Sequence, residues 1–464
     1  MKSHFRLSIL ILILVCIINT IYAQSNVTIS GKANYDQEET ITIDNHALGC
    51  FTTKIANAEV DKSGNFQFKF NITQPQVIGF FNRPIYVSPG DSVFATLTGG
   101  SLSYPLKLSF KGKNADPYIY AAKYDSLKTA LNYKFFEYEF KNKLTTYLDL
   151  LNANRKILMK NLEDFSKGHQ LTDEFKAYAF NQIVYAYYEQ LLIPIIVKGI
   201  PLDEVPPSYS AVIDQIKLTN DSMVHKREYD DAATLFLYYK KMKSGDNEIK
   251  LINDNATGLT REFLLTYYAQ SLISSYSPKD SLATKDMFEQ LDKVVLNPES
   301  RKYFILLKEK LNKYLTPLPN NILLTAIIDS MGHKLTFKDL LAKSKNKFIV
   351  FDFWASWCAP CRGAMPKVNK IKKNFDKKDV EFVFMSLDDT VKEWRDGLKM
   401  TKVPGNHYWL TANFKSALAE YLNIHSIPRY VIINKTGKFE KMDAVSPERG
   451  DYGLEAQLNE LLKQ

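Results

Sequence analysis

One short stretch constrains the C-terminal part of this chain more than any other: Phe351-Asp352-Phe353-Trp354-Ala355-Ser356-Trp357-Cys358-Ala359-Pro360-Cys361-Arg362. The apolar run at 348–353 reads as a buried strand. A turn comes next, and a helix is expected to start at the Cys-x-x-Cys. Pro360 fits the first helical turn, where its missing N–H costs little. Cys358 then falls at a helix N-terminus. Unpaired N–H groups and the helix dipole favour negative charge there, and they draw a thiol pKa down from about 8.5. Arg362 adds positive charge close by. Two intervening residues let the second sulfur reach the first, so a thiolate at Cys358 can attack a disulfide and Cys361 can resolve the mixed disulfide. Trp357 offers substrates an apolar surface.

Cysteine usage agrees with redox chemistry rather than stapling. The 464 residues contain four cysteines, and one of them, Cys16, lies in a leader-like N-terminus. Lys2 and Arg6 precede a largely apolar run at 7–18, and Ala23-Gln24 offers a cleavage site, so residues 1–23 read as a secretory signal peptide. That run is short for a spanning helix, which needs about 20 apolar residues. Val15 stands before Cys16, where a lipoprotein signal wants a small residue. No later apolar run is long enough to span, since Pro194 and Lys198 interrupt 193–200. The mature chain is therefore expected in an extracytoplasmic space, not in the bilayer. It keeps Cys50, Cys358 and Cys361, too few for a disulfide framework. Zinc would need four ligands, and no second Cys-x-x-Cys or paired histidine is present, so no metal and no cofactor is expected. Cys50 reads as a small buried residue near a strand end.

The formal charge of +9 falls to +7 without Lys2 and Arg6, and no dense Lys/Arg block is present. Nucleic-acid binding is not implied. The length argues for more than one domain. Residues 24–112 read as all-β: 27–29, 40–43, 66–70 and 93–97 alternate apolar and polar, with turns at Gly31, Ser63-Gly64-Asn65 and Pro89-Gly90-Asp91, as in a small sandwich. From 113 to 315 glycine becomes rare and apolar residues recur at helical spacing, with helices expected over 116–165, 171–192, 230–243, 259–276, 284–295 and 300–314. Thr316-Pro317-Leu318-Pro319 reads as a linker. Beyond it, 322–464 alternates strands (323–328, 348–353, 382–386, 430–433) with helices (from Cys358, 391–400, 416–422, 454–462), an α/β pattern. The chain is thus expected to be multidomain: all-β, then all-α, then α/β.

Trp357 before the first cysteine and Pro360 before the second make the stretch resemble the active-site signature of the thioredoxin superfamily. Ser426-Ile427-Pro428, just ahead of the strand at 430–433, resembles that family's cis-proline loop. The resemblance implies that Pro428 lies against the dithiol and that Ile427 offers backbone hydrogen bonds to substrate. Asp352 matches the buried acid of cytosolic thioredoxins, which assists proton transfer at the resolving cysteine, and desolvation should raise its pKa. The lysine that accompanies this acid is missing: the matching strand reads Phe384-Met385-Ser386. Ser386-Leu387-Asp388-Asp389 with Lys392-Glu393-Trp394 looks like the insertion of the TlpA/ResA/DsbE-like branch of extracytoplasmic thiol–disulfide oxidoreductases. Ile29-Ser30-Gly31-Lys32 through Pro89-Gly90-Asp91-Ser92 is similar to the β-domain fused to such thioredoxins in Bacteroidetes envelope proteins. The resemblance implies protein thiol or disulfide substrates, a periplasmic or envelope location, and a reductase or cytochrome-maturation helper fed by a membrane electron donor.

Two other readings stay open. A peroxiredoxin shares the fold, but its Pro-x-x-x-Thr-x-x-Cys pattern does not surround Cys358. In a non-catalytic envelope binding protein, the residues ahead of the linker would do the work, a role an intact Cys-Ala-Pro-Cys argues against. His425, three residues before Pro428, reads as a solvated loop histidine.

Overall fold

Alternating Phe66, Phe68 and Phe70 all point to one side of a strand, and that side is where the first core forms. In the computed structural model the described residues are 26–33, 39–47, 51–81, 83–101, 104–131, 144–375 and 379–463. The leader at 1–23, with Cys16, and Cys50 lie outside them. The chain divides into two compact units, 1–268 and 269–464.

The first unit opens with β1 (Val27–Ala33), β2 (Glu39–Ala47), β3 (Phe51–Val60), β4 (Asn65–Phe70), β5 (Gln76–Phe80), β6 (Arg83–Val87), β7 (Ser92–Ser101) and β8 (Tyr104–Lys113). They form two four-stranded sheets, β4-β1-β7-β8 and β3-β2-β5-β6. Inward residues of both sheets share one core, with Val27 and Val93 from one and Ile43, Ile78 and Val87 from the other. Edge-to-face rings such as Phe66 against Phe68 fill it. The Pro89-Gly90-Asp91 turn has a second use. Buried Asp91 accepts hydrogen bonds from Ser88 N (2.8 Å), Tyr118 Oη (2.7 Å) and Asn114 Nδ2 (3.0 Å). It thereby ties the first helix to the sandwich.

That helix is α1 (Asp116–Ala130), followed by α2 (Leu144–Gly168), α3 (Asp173–Ile196), α4 (Pro207–Ile213), α5 (Arg227–Ser244), α6 (Glu248–Asn255) and α7 (Gly258–Ser274). Among the described residues, the helical stretch expected over 116–165 contains α1 and the greater part of α2. α3 runs on through Pro194, past the expected end at 192. Its residues from Gln190 to Ile195, around the proline, are all buried, so packing outweighs the lost N–H.

The second unit contains α8 (Ser281–Val294), α9 (Pro298–Leu315) and α10 (Asn320–Leu323), then β9 (Ala326–Asp329), β10 (Lys334–Thr336), α11 (Phe337–Lys343), β11 (Phe348–Trp354), α12 (Ala359–Phe375), β12 (Val380–Ser386), α13 (Val391–Thr401), β13 (Asn406–Leu410), α14 (Ala417–Tyr421), β14 (Arg429–Ile433), β15 (Phe439–Lys441) and α15 (Leu454–Leu462). Its seven-stranded sheet runs β10-β9-β13-β12-β11-β14-β15. β11, β12 and β13 are parallel, and β14 returns antiparallel against β11. This is the α/β domain at the C-terminal end of an all-β, all-α, α/β order, as expected. The strand-like 323–328 differs. A single helical turn occupies 320–323, entered from extended Pro319, and the strand begins at Ala326. α9 lies against the end of the sheet. Tyr314 Oη accepts from Met442 N at 3.0 Å, and Lys313 Nζ reaches Tyr421 O at 2.7 Å.

Candidate functional site

β11 is buried on both faces, so its side chains alternate between two interiors. Val350 and Trp354 share a cluster with Cys358, Cys361, Met365 and Val368 of the α12 region. Asp352 lies between them and therefore faces the same side, beneath α12.

α12 begins at Ala359, which puts Cys358 immediately before the first helical residue. Cys361 N donates to Cys358 Sγ at 3.1 Å, and Arg362 N donates to Cys358 O at 3.1 Å. The sulfur thus takes one of the free N–H groups of the first turn, as a capping oxygen would. Cys358 and Cys361 are joined as a disulfide with Cα atoms 5.3 Å apart. The Ile427–Pro428 bond is cis, and Ile427 O lies 3.7 Å from Cys358 Sγ. Two distant segments, 354–362 and 427–428, therefore meet at the dithiol.

Trp357 is 57% exposed, with its ring 6.4 Å from Phe414. Arg362 turns its guanidinium toward Met400, with Nη1 3.2 Å from Sδ. His425 is exposed and contacts Asn423 Oδ1 at 2.7 Å. Asp352 is 3% exposed, and desolvation alone pushes its carboxyl up to about 7. Its Oδ1 has no hydrogen-bond partner among the described residues. Tyr430 stands opposite Asp352 in the β11–β14 pair, and burial raises the phenol well above its ordinary range, helped by the charge of Asp352. Among the described residues, no cluster of three or more His, Cys, Asp or Glu side chains is placed to hold a metal ion.

The structure adds a group that the sequence marks only as part of an insertion. Asp388 is fully buried. Its Oδ1 accepts from Ser356 N (2.9 Å) and Ser356 Oγ (2.6 Å), and its Oδ2 accepts from Ser386 Oγ (2.7 Å). Leu387 N binds Trp354 O at 2.8 Å, and Trp409 Nε1 binds Asp388 O at 2.8 Å. The turn between strand and dithiol is clamped to the segment after β12. The available signal was positional: β11 and β12 are parallel neighbours, so the segments leaving their C-terminal ends gather at one edge, where sites form.

Gly397 of α13 closes over the same turn. A Cβ there would lie 2.7 Å from Ser356 Cβ and 3.3 Å from the Trp354 ring. Gly397→Ala gains about 1 kcal/mol in helix propensity, but overpacking against a turn that cannot yield costs about 1–3 kcal/mol. The variant is expected to be net destabilised in urea unfolding. An unchanged or higher midpoint would mean that the Ser356 turn gives way.

Residues 346–439 match the thioredoxin-like family model. The curated relatives include the thiol–disulfide oxidoreductase ResA of Bacillus thuringiensis (strain Al Hakam), 34% identical over 64 residues, which are 14% of this chain and 35% of that protein. They also include the thioredoxin-like protein YneN of Bacillus subtilis (strain 168), 32% identical over 22% of this chain and 58% of that protein. The chain thus spans about a third of the length of the first of these relatives. Among solved structures, a thiol–disulfide oxidoreductase from Bacteroides fragilis is 25% identical, with 30% of this chain and 96% of that chain covered and a TM-score of 0.26. The C-terminal domain is therefore thioredoxin-like and similar to the ResA type.

Proposed function

We propose that this chain is a thiol–disulfide oxidoreductase of the cell envelope, in which the Cys358/Cys361 pair exchanges a disulfide with protein thiols. The observation that carries the reading is the Cys358–Cys361 disulfide at the start of α12 in a thioredoxin-like domain. In the reductase direction, the Cys358 thiolate attacks a substrate disulfide. A mixed disulfide forms and one substrate thiolate leaves. Cys361 loses its proton and attacks Cys358 Sγ, which breaks the mixed disulfide and releases the second substrate thiolate. Two electrons pass to the substrate, the pair becomes a disulfide, and two protons end on the substrate thiols.

In this reading Asp352 receives the Cys361 proton and Arg362 favours the thiolate. Trp357, Ile427 and Pro428 form the surface on which the substrate lies. The exposed Trp357 beside Phe414, and Ile427 O near Cys358 Sγ, support that assignment. An exported dithiol must be re-reduced, so a membrane electron donor of the dithiol class is part of the proposal, and residues 1–23 supply the export signal. Among the described residues no helix is long and apolar enough to cross a membrane.

The reduced full chain should accelerate dithiothreitol-driven precipitation of insulin well above the reductant alone. A rate equal to the reductant alone would remove the oxidoreductase reading. Protein recovered from an exporting host should begin at Gln24. An intact Met1 would remove the processed-signal part.

A further inference from the structure

The sequence leaves the direction of exchange open, and the clamp after β12 bears on it. We propose that Asp388 is a positioning residue for the dithiol whose buried negative charge holds the Cys358 thiol less acidic than a helix start alone would leave it, biasing the pair toward the reductase direction. The inference rests on the reading of Cys358 as the attacking thiol.

Three observations carry it. Asp388 accepts three side-chain and backbone hydrogen bonds and donates none through its carboxyl, the pattern of an ionised carboxylate. It is fully buried, so solvent does little to screen its field. It grips both the N–H and the hydroxyl of Ser356, two residues before Cys358, so its charge has a fixed place beside the turn that presents the thiol.

The other charged and titratable groups around the dithiol are Asp352 on β11, Arg362 on α12, Tyr430 on β14, Asp389 next to Asp388, and His425 ahead of Pro428. Asp389 accepts from Asn413 Nδ2 at 2.6 Å, and His425 is exposed. On α13, Lys392 and Lys399 pair with Asp396, Glu393 caps its own helix, and Arg395 lies beside Gly332. None of these charges is tied to the Cys358 turn as Asp388 is.

A fixed anion near a thiol disfavours the thiolate. A less stable thiolate makes the dithiol form less stable and the pair more reducing, the reverse of a strong oxidant, whose reduced form is stabilised. The clamp and the charge can be separated. Asp388→Asn keeps an oxygen acceptor for Ser356 and removes the charge. Ser386→Ala keeps the charge and removes one hydroxyl that neutralises it.

The experiment uses the reduced full chain. Iodoacetamide modification of Cys358 is followed against pH by fragment-resolved mass spectrometry, and the dithiol–disulfide equilibrium is measured against glutathione. In Asp388→Asn the Cys358 midpoint should fall by about one pH unit, and at a pH above both midpoints the equilibrium should move about tenfold toward the dithiol. In Ser386→Ala the midpoint should move upward. An unchanged midpoint in Asp388→Asn, or shifts of the same sign in both variants, would overturn the inference. Neither readout needs a protein substrate. Failure in the insulin assay with these shifts present removes the proposed function alone, whereas insulin reduction without them removes only the role of Asp388.

Discussion

Cys358→Ser is expected to lower insulin reduction on the order of 10³-fold or more, to the rate of the reductant alone, the scale of losing a nucleophile. Cys361→Ser should behave differently. Cys358 still has a helix start behind it, so it should still attack, but the mixed disulfide that forms has no neighbouring thiol to resolve it. Denaturing, non-reducing electrophoresis should then show substrate trapped on Cys361→Ser and none on Cys358→Ser. The asymmetry comes from position. Cys358 Sγ takes the N–H of Cys361 and lies 3.7 Å from Ile427 O, at the surface where Trp357 is exposed. Cys361 lies inside the first turn of α12; the two thiols are similarly buried, 4% and 2% exposed, so the asymmetry rests on the position of Cys358 ahead of the helix and facing Ile427 O rather than on exposure. Equal trapping by both variants, or trapping by Cys358→Ser alone, would reverse the assignment of attacking and resolving thiols.

Much of that site is legible in the sequence because its parts are local. A buried strand, a turn, a Cys-x-x-Cys and a helix succeed one another without interruption, and each carries a pattern of its own. The Ile427–Pro428 loop is legible only through resemblance. The Asp388 clamp is not legible, because Ser356 and Asp388 are 32 residues apart and meet only once β12 lies parallel to β11. Four strands of the sandwich, β3, β5, β6 and β8, escape the sequence reading. β5 and β6 have burial patterns of the form half-buried, half-buried, then three buried residues, so no period of two marks them. β13, Asn406–Leu410, is short, lacks clean alternation, and owes its place to pairing with β12 and β9. Helix ends depart from expectation where tertiary burial overrides a local stop, as at Pro194 in α3.

Asp352→Asn is expected to make the folded chain more stable at high pH while making it a slower catalyst. Burial raises the Asp352 carboxyl from 3.8 to about 7. Below the lower value it is protonated in both folded and unfolded chains and adds no pH dependence. Between the two values the unfolded chain ionises while the folded chain stays neutral, so stability falls as pH rises. Above about 7 both are ionised and the loss is complete. A pKa displaced this far corresponds to a cost on the order of 4 kcal/mol. Asparagine does not titrate, so its stability relative to wild type should climb by several kcal/mol between about pH 4 and about pH 8 in denaturant unfolding of the oxidised form. Any constant penalty for burying an amide cancels in that difference. Catalysis should move the other way. On the proposed role of Asp352 as proton acceptor, resolution by Cys361 should slow by about 10²-fold, and its pH dependence near 7 should flatten. A carboxyl retained only for packing predicts the same pH-dependent gain but no kinetic loss, so the rate is the discriminating measurement. Opposite signs in the two measurements are what a buried proton acceptor requires, and a variant unchanged in rate would rule that role out.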